Sequence, residues 1–218
     1  SADFKGLDKI VVTRTAYRLT DKMHADYPNA ISQLSKGHAY DMSTNIFERL
    51  PQIFFEEKPD NCDYVRFLGR EKNKRVYKYV LRSYINQVGI LDKYKVLVPE
   101  GNGSGKFGEI ISFPVLADPG TGSTETFLSI GGFETKDEAS NVLNYIKTKF
   151  CRALLGVLKI TQHITPAVWR FVPLQDFTAA SDIDWTKPIP EIDRQLYAKY
   201  GLDENEISFI EKNVKEMK

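Results

Sequence analysis

Between Tyr64 and Arg82 the chain carries seven cations, Arg66, Arg70, Lys72, Lys74, Arg75, Lys78 and Arg82, against one acid, Glu71. Such a run can neutralise phosphates, and an arginine fork can read guanine in the major groove. On an edge strand the same charges can equally serve to block edge-to-edge association. Both readings stay open from this segment alone.

A second candidate is the loop Gly101-Asn-Gly-Ser-Gly-Lys-Phe-Gly108. Gly103-x-Gly105-x-x-Gly108 has the letter of a dinucleotide fingerprint. That fingerprint needs a helix after the last glycine to meet a pyrophosphate. Here Ile110-Ile-Ser-Phe-Pro follows and reads as a strand. A protein-kinase loop would sit between strands, but the chain has neither His-Arg-Asp nor Asp-Phe-Gly. A Walker loop fails because Phe107 stands where Ser or Thr must bind magnesium. Two readings remain, a plain turn or a loop whose bare backbone approaches a phosphodiester. Asn102, Ser104 and Lys106 are the candidate contacts of the second.

Lys147, Lys149, Arg152 and Lys159 lie off the apolar stripe of a helix predicted over 135–158. They are a solvated face or a set of phosphate ligands, with Gln162 and His163 just beyond. Catalytic chemistry finds little support. His24, His38 and His163 are far apart, and no Cys or His pair has metal-ligand spacing. No hydrolase nucleophile motif occurs. Asp182 and Asp184, beside Trp185, read as Asx turns that shape a loop. A magnesium-dependent nuclease would have to use Asp63 or Glu71 with Lys72, a loose imitation of the usual pattern.

These groups need elements to hold them. Tyr64–Gly69 and Arg75–Leu81 alternate as two paired strands, with Arg70-Glu-Lys-Asn-Lys74 as their loop. Strands are also predicted at 52–56, 94–98, 110–116 and 126–130, the last ended by Gly131-Gly132, with 119–124 as a turn. Residues 44–51 are one turn of helix or a short strand. Thr135-x-x-Glu138 is a capping box that starts the long helix. Pro190 opens a further helix that Gly201 stops, and Asp203-x-x-Glu206 opens the last one.

Hydrophobic residues make up 42% of the 218, enough for a sizeable core. No apolar run of eighteen residues exists, so no transmembrane helix is expected. Two cysteines, Cys62 and Cys151, are too few for a disulfide scaffold and point to a reducing, cytoplasmic setting. The net charge of +1 hides an asymmetry: residues 1–109 carry 18 Lys/Arg against 14 Asp/Glu, and residues 110–218 carry 12 against 15. Neither half is basic enough to argue for nucleic acid without the local clusters. The chain starts Ser-Ala-Asp rather than with Met, as expected of a piece of a longer protein.

Four blocks carry a family resemblance: Gly103-Ser-Gly-Lys-Phe-Gly-Glu, Tyr145-Ile-Lys-Thr-Lys-Phe-Cys-Arg-Ala-Leu-Leu, Phe171-Val-Pro-Leu-Gln-Asp-Phe and Ser181-Asp-Ile-Asp-Trp-Thr-Lys-Pro. Together they resemble the C-terminal region of bacterial restriction–modification DNA adenine methyltransferases, including fused restriction–methylation enzymes. In that family the methyltransferase domain binds S-adenosylmethionine and holds a flipped adenine with an Asn/Asp-Pro-Pro-Tyr/Phe motif. This chain has no such motif. The resemblance therefore implies a target-recognition domain for double-stranded DNA, with no cofactor of its own and no membrane partner. The methyltransferase domain, and S-adenosylmethionine with it, would belong to the parent chain. A nuclease domain and a protein-interaction module are the alternatives.

The expected fold is α/β (α+β), a mixed, mainly antiparallel sheet with one long packed helix and a C-terminal helical appendage. The expected division is a connecting segment over 1–41, a recognition domain over 42–178 and the appendage over 179–218.

Overall fold

Apolar side chains collect in two cores that follow chain order. The first draws on residues between Tyr17 and Leu91. The second takes Leu7 and then residues from Val96 to Met217. The computed structural model describes residues 4–86, 89–101, 107–109, 111–158 and 166–217.

Along the chain, β1 (Val11–Val12) and β2 (Arg18–Leu19) precede the short helices α1 (Asp21–Asp26), α2 (Ala30–Gln33) and α3 (Ile46–Arg49). Strands β3 (Tyr64–Glu71), β4 (Lys74–Leu81) and β5 (Ile85–Asn86) follow. Next come β6 (Tyr94–Pro99), β7 (Val115–Ala117), β8 (Thr121–Ser123) and β9 (Phe127–Phe133). Helices α4 (Lys136–Lys147), α5 (Lys149–Leu158), α6 (Pro166–Trp169), α7 (Ile189–Tyr200) and α8 (Glu204–Asn213) pack on them.

The architecture is α+β with mainly antiparallel pairing. The expected single sheet is instead three: β1-β9-β6-β7, β4-β3-β8 and the pair β2-β5. The first is antiparallel throughout. In the second, β8 runs parallel to β3, with Arg66 opposite Thr121 and Leu68 opposite Ser123. The Gly/Thr/Ser segment expected as a turn is thus partly a strand. Gly131 and Gly132 do not end β9, which continues to Phe133 opposite Tyr94. Of the strand expected at 52–56, only Phe55 pairs, bridging Tyr79.

A small apolar cluster of Leu68, Leu97, Ala117 and Phe127 joins the sheets. So does Lys95, whose side chain is fully buried. Its ammonium leaves β6 and donates to the carbonyls of Leu91 (3.1 Å), Asp118 (3.5 Å) and Thr121 (2.7 Å).

The boundaries expected at 41/42 and 178/179 fall inside shared cores. Met23 and Ala30 pack with Phe47 and Phe67, and Trp185, Leu196 and Val214 pack with Val96 and Tyr145. The C-terminal helices pack into the second core.

The long helix is also two helices. Thr148 has extended ψ and ends α4. Its hydroxyl donates to the Tyr145 carbonyl (2.6 Å) and accepts from the Cys151 amide (3.1 Å). It thereby caps α5 as an N-terminal threonine does. Asp193, reaching over from α7, accepts the amides of Lys149 (3.0 Å) and Phe150 (2.8 Å). Three first-turn amides of α5 are satisfied by side chains in this way.

Burial drives the Asp193 carboxyl from 3.8 up to about 6, and Glu211 adds to the rise, while the two amides and Arg152 oppose it. The folded chain then holds a proton that the unfolded chain has already released. Stability contributed by this group is complete below pH 4 and is lost as pH rises through 6, an effect of about 3 kcal/mol. We expect urea denaturation to show the advantage of the native chain over Asp193→Asn shrinking between pH 4 and pH 6.5. A constant difference across that range would refute this role.

Candidate nucleic-acid interface

The ribbon β3–β4 pairs from Tyr64–Leu81 to Glu71–Lys74, with only Lys72 and Asn73 between the strands. Both take positive φ, 47° and 63°. That is the two-residue type I′ geometry whose twist matches the strands it joins. The strands are longer and the loop tighter than the sequence indicates. Lys72 is held further by its amide, which donates to Glu48 on α3 (2.8 Å).

The base of the ribbon is anchored by Val65, Phe67, Leu68 and Val80, all buried. Its tip is exposed and carries Arg70, Lys72, Lys74 and Arg75. No carboxylate pairs with any of these four among the described residues: Arg70 donates to Asn73 (3.2 Å) and Arg75 to two loop carbonyls. Lower down, two of the charges are neutralised. Lys78 is only 8% exposed and sits between Glu71 (3.3 Å) and Glu56 (3.6 Å). Arg82 pairs with Asp63 and Asp92, each at 2.9 Å. Arg66 lies over the Tyr77 ring, 4.4 Å from its centroid. Of the seven cations, then, Arg70, Lys72 and Lys74 are available at one end, while Arg75 is turned inward onto the Ser112 and Phe113 carbonyls.

The tip borders a cleft of about 430 Å³ lined by Arg14, Arg70, Asn73, Arg75, Gly101 and Glu125, among others. Gly101 brings the start of the glycine loop to the ribbon. Asn102, Ser104 and Lys106 lie outside the described residues, as do Gln162, His163 and Lys159. The exit of the loop turns away. Phe107 packs against Phe209 of α8, ring centroids 5.5 Å apart. Gly108 has φ +75°, and a Cβ there would stand 2.2 Å from the Asn213 carbonyl oxygen.

Sequence reasoning misses Arg14, Glu125, Asn73 and Phe113. Arg14 pairs with Glu100 at 3.2 Å and lines the cleft from a turn with no distinctive pattern. Glu125 is half-buried, and burial holds its carboxyl above the ordinary range. Phe113 is 78% exposed. Asn73 was legible in principle, because a Lys-Asn pair between alternating strands favours left-handed backbone.

The helix cations go elsewhere. Arg152 is 3% exposed, and its guanidinium donates to the carbonyls of Lys215 (2.6 Å), Lys147 (3.1 Å) and Glu109 (3.5 Å). The expectation that it holds a phosphate gives way to a structural role. The reason is burial: the guanidinium is spent on three backbone carbonyls and is turned away from solvent. Lys149 pairs with Glu211. Lys147 is half-buried and shares a small cavity with Asp193 and Glu216. None of the three lines the cleft at the ribbon tip.

The two carboxylates named for a nuclease lie at opposite ends of the ribbon, Asp63 just before β3 and Glu71 at its end beside Lys72. Each is already paired with a cation, Asp63 with Arg82 and Glu71 with Lys78. Among the described residues no group of three His, Cys, Asp or Glu could hold a metal ion. No helix among them is long and apolar enough to cross a membrane.

Comparison with protein-family models, with curated proteins and with solved structures finds no match. The interface therefore stands on its own chemistry. It is a ribbon whose tip cations Arg70, Lys72 and Lys74 have no carboxylate partner among the described residues, set beside a cleft that Pro99, Glu100 and Gly101 also line.

Proposed function

We propose that this chain recognises duplex DNA through the tip of the β3–β4 ribbon. The observation that carries the reading is the distribution of charge. Among the described residues Arg70, Lys72 and Lys74 at the tip have no carboxylate partner for their charged groups, while Lys78 and Arg82 have two each. Edge protection alone would not need the free charges gathered at a turn.

A two-stranded ribbon has the width of the major groove. In that docking Lys72 and Lys74 meet phosphates, and Arg70 and Asn73 face base edges, Arg toward guanine and Asn toward adenine. Arg14 supports the tip from the cleft. The sequence resemblance extends the proposal: the chain would set the target for an adenine methyltransferase domain of the parent protein. S-adenosylmethionine and the flipped adenine would then be held by that domain, and these residues would supply register and specificity.

The test is binding of a 30-base-pair duplex, followed by fluorescence anisotropy across a salt series. Arg70→Ala/Lys72→Ala/Lys74→Ala should weaken binding on the order of 100-fold at 0.1 M salt. The slope of log affinity against log salt should become shallower by about 2 to 3. Lys147→Ala, away from the tip, should leave both unchanged. Equal affinity and slope for the triple variant and the native chain would reject the reading.

A further inference from the structure

Phe113 combines three features that seldom meet in one residue. Its backbone is left-handed, φ +42°. A bulky residue in that region is an outlier. Its ring is 78% exposed, the most exposed large hydrophobic side chain among the described residues. And its backbone is pinned: Arg75 donates from Nη1 to the Phe113 carbonyl (2.6 Å) and from Nη2 to the Ser112 carbonyl (2.8 Å).

The flanks are anchored too. Ile111 is buried in the second core, and Val115 starts β7 opposite Leu97. The Arg75 guanidinium also lies over the Phe127 ring, 5.3 Å from its centroid. A strained conformation persists only when its surroundings hold it, and such strain gathers where a chain binds. Here an arginine of the ribbon tip fixes a loop that leaves the Phe113 side chain in water. Among the described residues little covers it.

We propose that Phe113 is a wedge that enters the base stack of the duplex held by the ribbon tip and unstacks one base step. The proposal rests on the duplex-DNA reading above and adds to it the way in which the DNA is deformed. Apolar wedges set among cations are a known physical means of kinking a duplex, the unstacking cost being offset by burial of the wedge and closer contact. Arg75 links the two actions, because the side chain that fixes the loop stands next to Arg70 across the ribbon. Ser112 lines the cleft, so the ring projects from the rim and not from a remote surface.

A wedge unwinds the DNA it enters, and unwinding can be read without knowing the target sequence. A relaxed closed plasmid is incubated with the protein and topoisomerase I, and its linking number is measured after the protein is removed. The native chain should shift the linking number in proportion to the protein bound. Phe113→Ala should bind the 30-base-pair duplex about 10-fold more weakly and produce no shift. Phe113→Trp should restore it. Because the ring is exposed, both variants should keep the native circular dichroism spectrum and melting temperature. If the native chain binds no DNA, the functional reading and the wedge both fall. If it binds but leaves the linking number unchanged, or if Phe113→Ala shifts it equally, the wedge alone falls.

Discussion

Replacing Lys95 with Ala should lower the unfolding free energy by about 4 kcal/mol at pH 7, whereas Lys95→Met should change it by less than about 1 kcal/mol. The Ala variant loses a fully buried four-carbon stem and leaves a cavity. It also removes the donor to the Thr121 carbonyl. The other two acceptors keep a partner, since Gly120 donates to Leu91 and Thr121 to Asp118. Met fills the volume and ends the cost of holding an ammonium away from water, which offsets the one orphaned carbonyl. The pH dependence separates these contributions. Burial pulls the Lys95 amine from 10.5 down to about 8, with Asp92 and Asp118 opposing. The folded chain therefore releases this proton at lower pH than the unfolded chain. Stability rises as pH climbs from 8 toward 10.5, by about 2–3 kcal/mol between pH 7 and pH 10. Urea titrations at the two pH values should show that gain in the native chain relative to Lys95→Met. Parallel curves would mean that Lys95 is not the group responsible.

Arg152→Ala should cost about 3–4 kcal/mol and loosen the end of the chain. Its guanidinium joins three places distant in sequence: the end of α4 at Lys147, the exit of the glycine loop at Glu109, and Lys215 after α8. Lys215 is held a second time by its own amide, which donates to the Gly108 carbonyl (3.2 Å). Removing the guanidinium leaves these carbonyls without a charged donor, each a loss of about 1–3 kcal/mol where no water can substitute. Lys cannot reproduce the fork, so Arg152→Lys should recover less than half of the loss. Thermal unfolding measures the first effect. Trypsin cleavage at Lys212 or Lys215 under native conditions measures the second. A stability change below about 1 kcal/mol with unaltered cleavage would show that the three bonds do not act together.

What could be read from the sequence was what short-range chemistry encodes. The capping box of Thr135 with Glu138 forms as expected, and Asp203, expected to open the last helix, does so through a box of its own with Glu206. Gly201 ends α7 in the left-handed region. The basic hairpin forms as well, because alternation and turn residues lie within one segment. What could not be read depends on distant partners. Thr121-Gly-Ser123 is a strand only because Arg66–Leu68 lies parallel to it. Val11 and Val12 are a strand only because β9 accepts them. The break at Thr148 was hidden because the apolar stripe stays in phase across it. Only Asp193, some forty-five residues on, makes a second helix start favourable there. The charge pattern misled for the same reason. Arg152 has the position of a solvent-facing cation on its helix, and carbonyls from Glu109 and Lys215 cover it. At the interface, the tip cations were visible, but Arg14, Glu125 and Phe113 come from three separate loops and have no shared spacing.

The nesting of one core within another sets an order on synthesis. The first core, from Tyr17 to Leu91, closes on residues that leave the ribosome together. The second must wait. Val11 pairs with Ile130, Leu7 donates to Val172 (2.7 Å), and Leu174 donates back to Lys5 (2.8 Å). At ordinary translation rates of about 5–20 residues per second, the N-terminal segment stays without its partners for on the order of 10 s. Throughout that interval the ribbon and its cations can already be in place, while Leu7, Val11 and Val12 remain open to any other strand or chaperone that reaches them first.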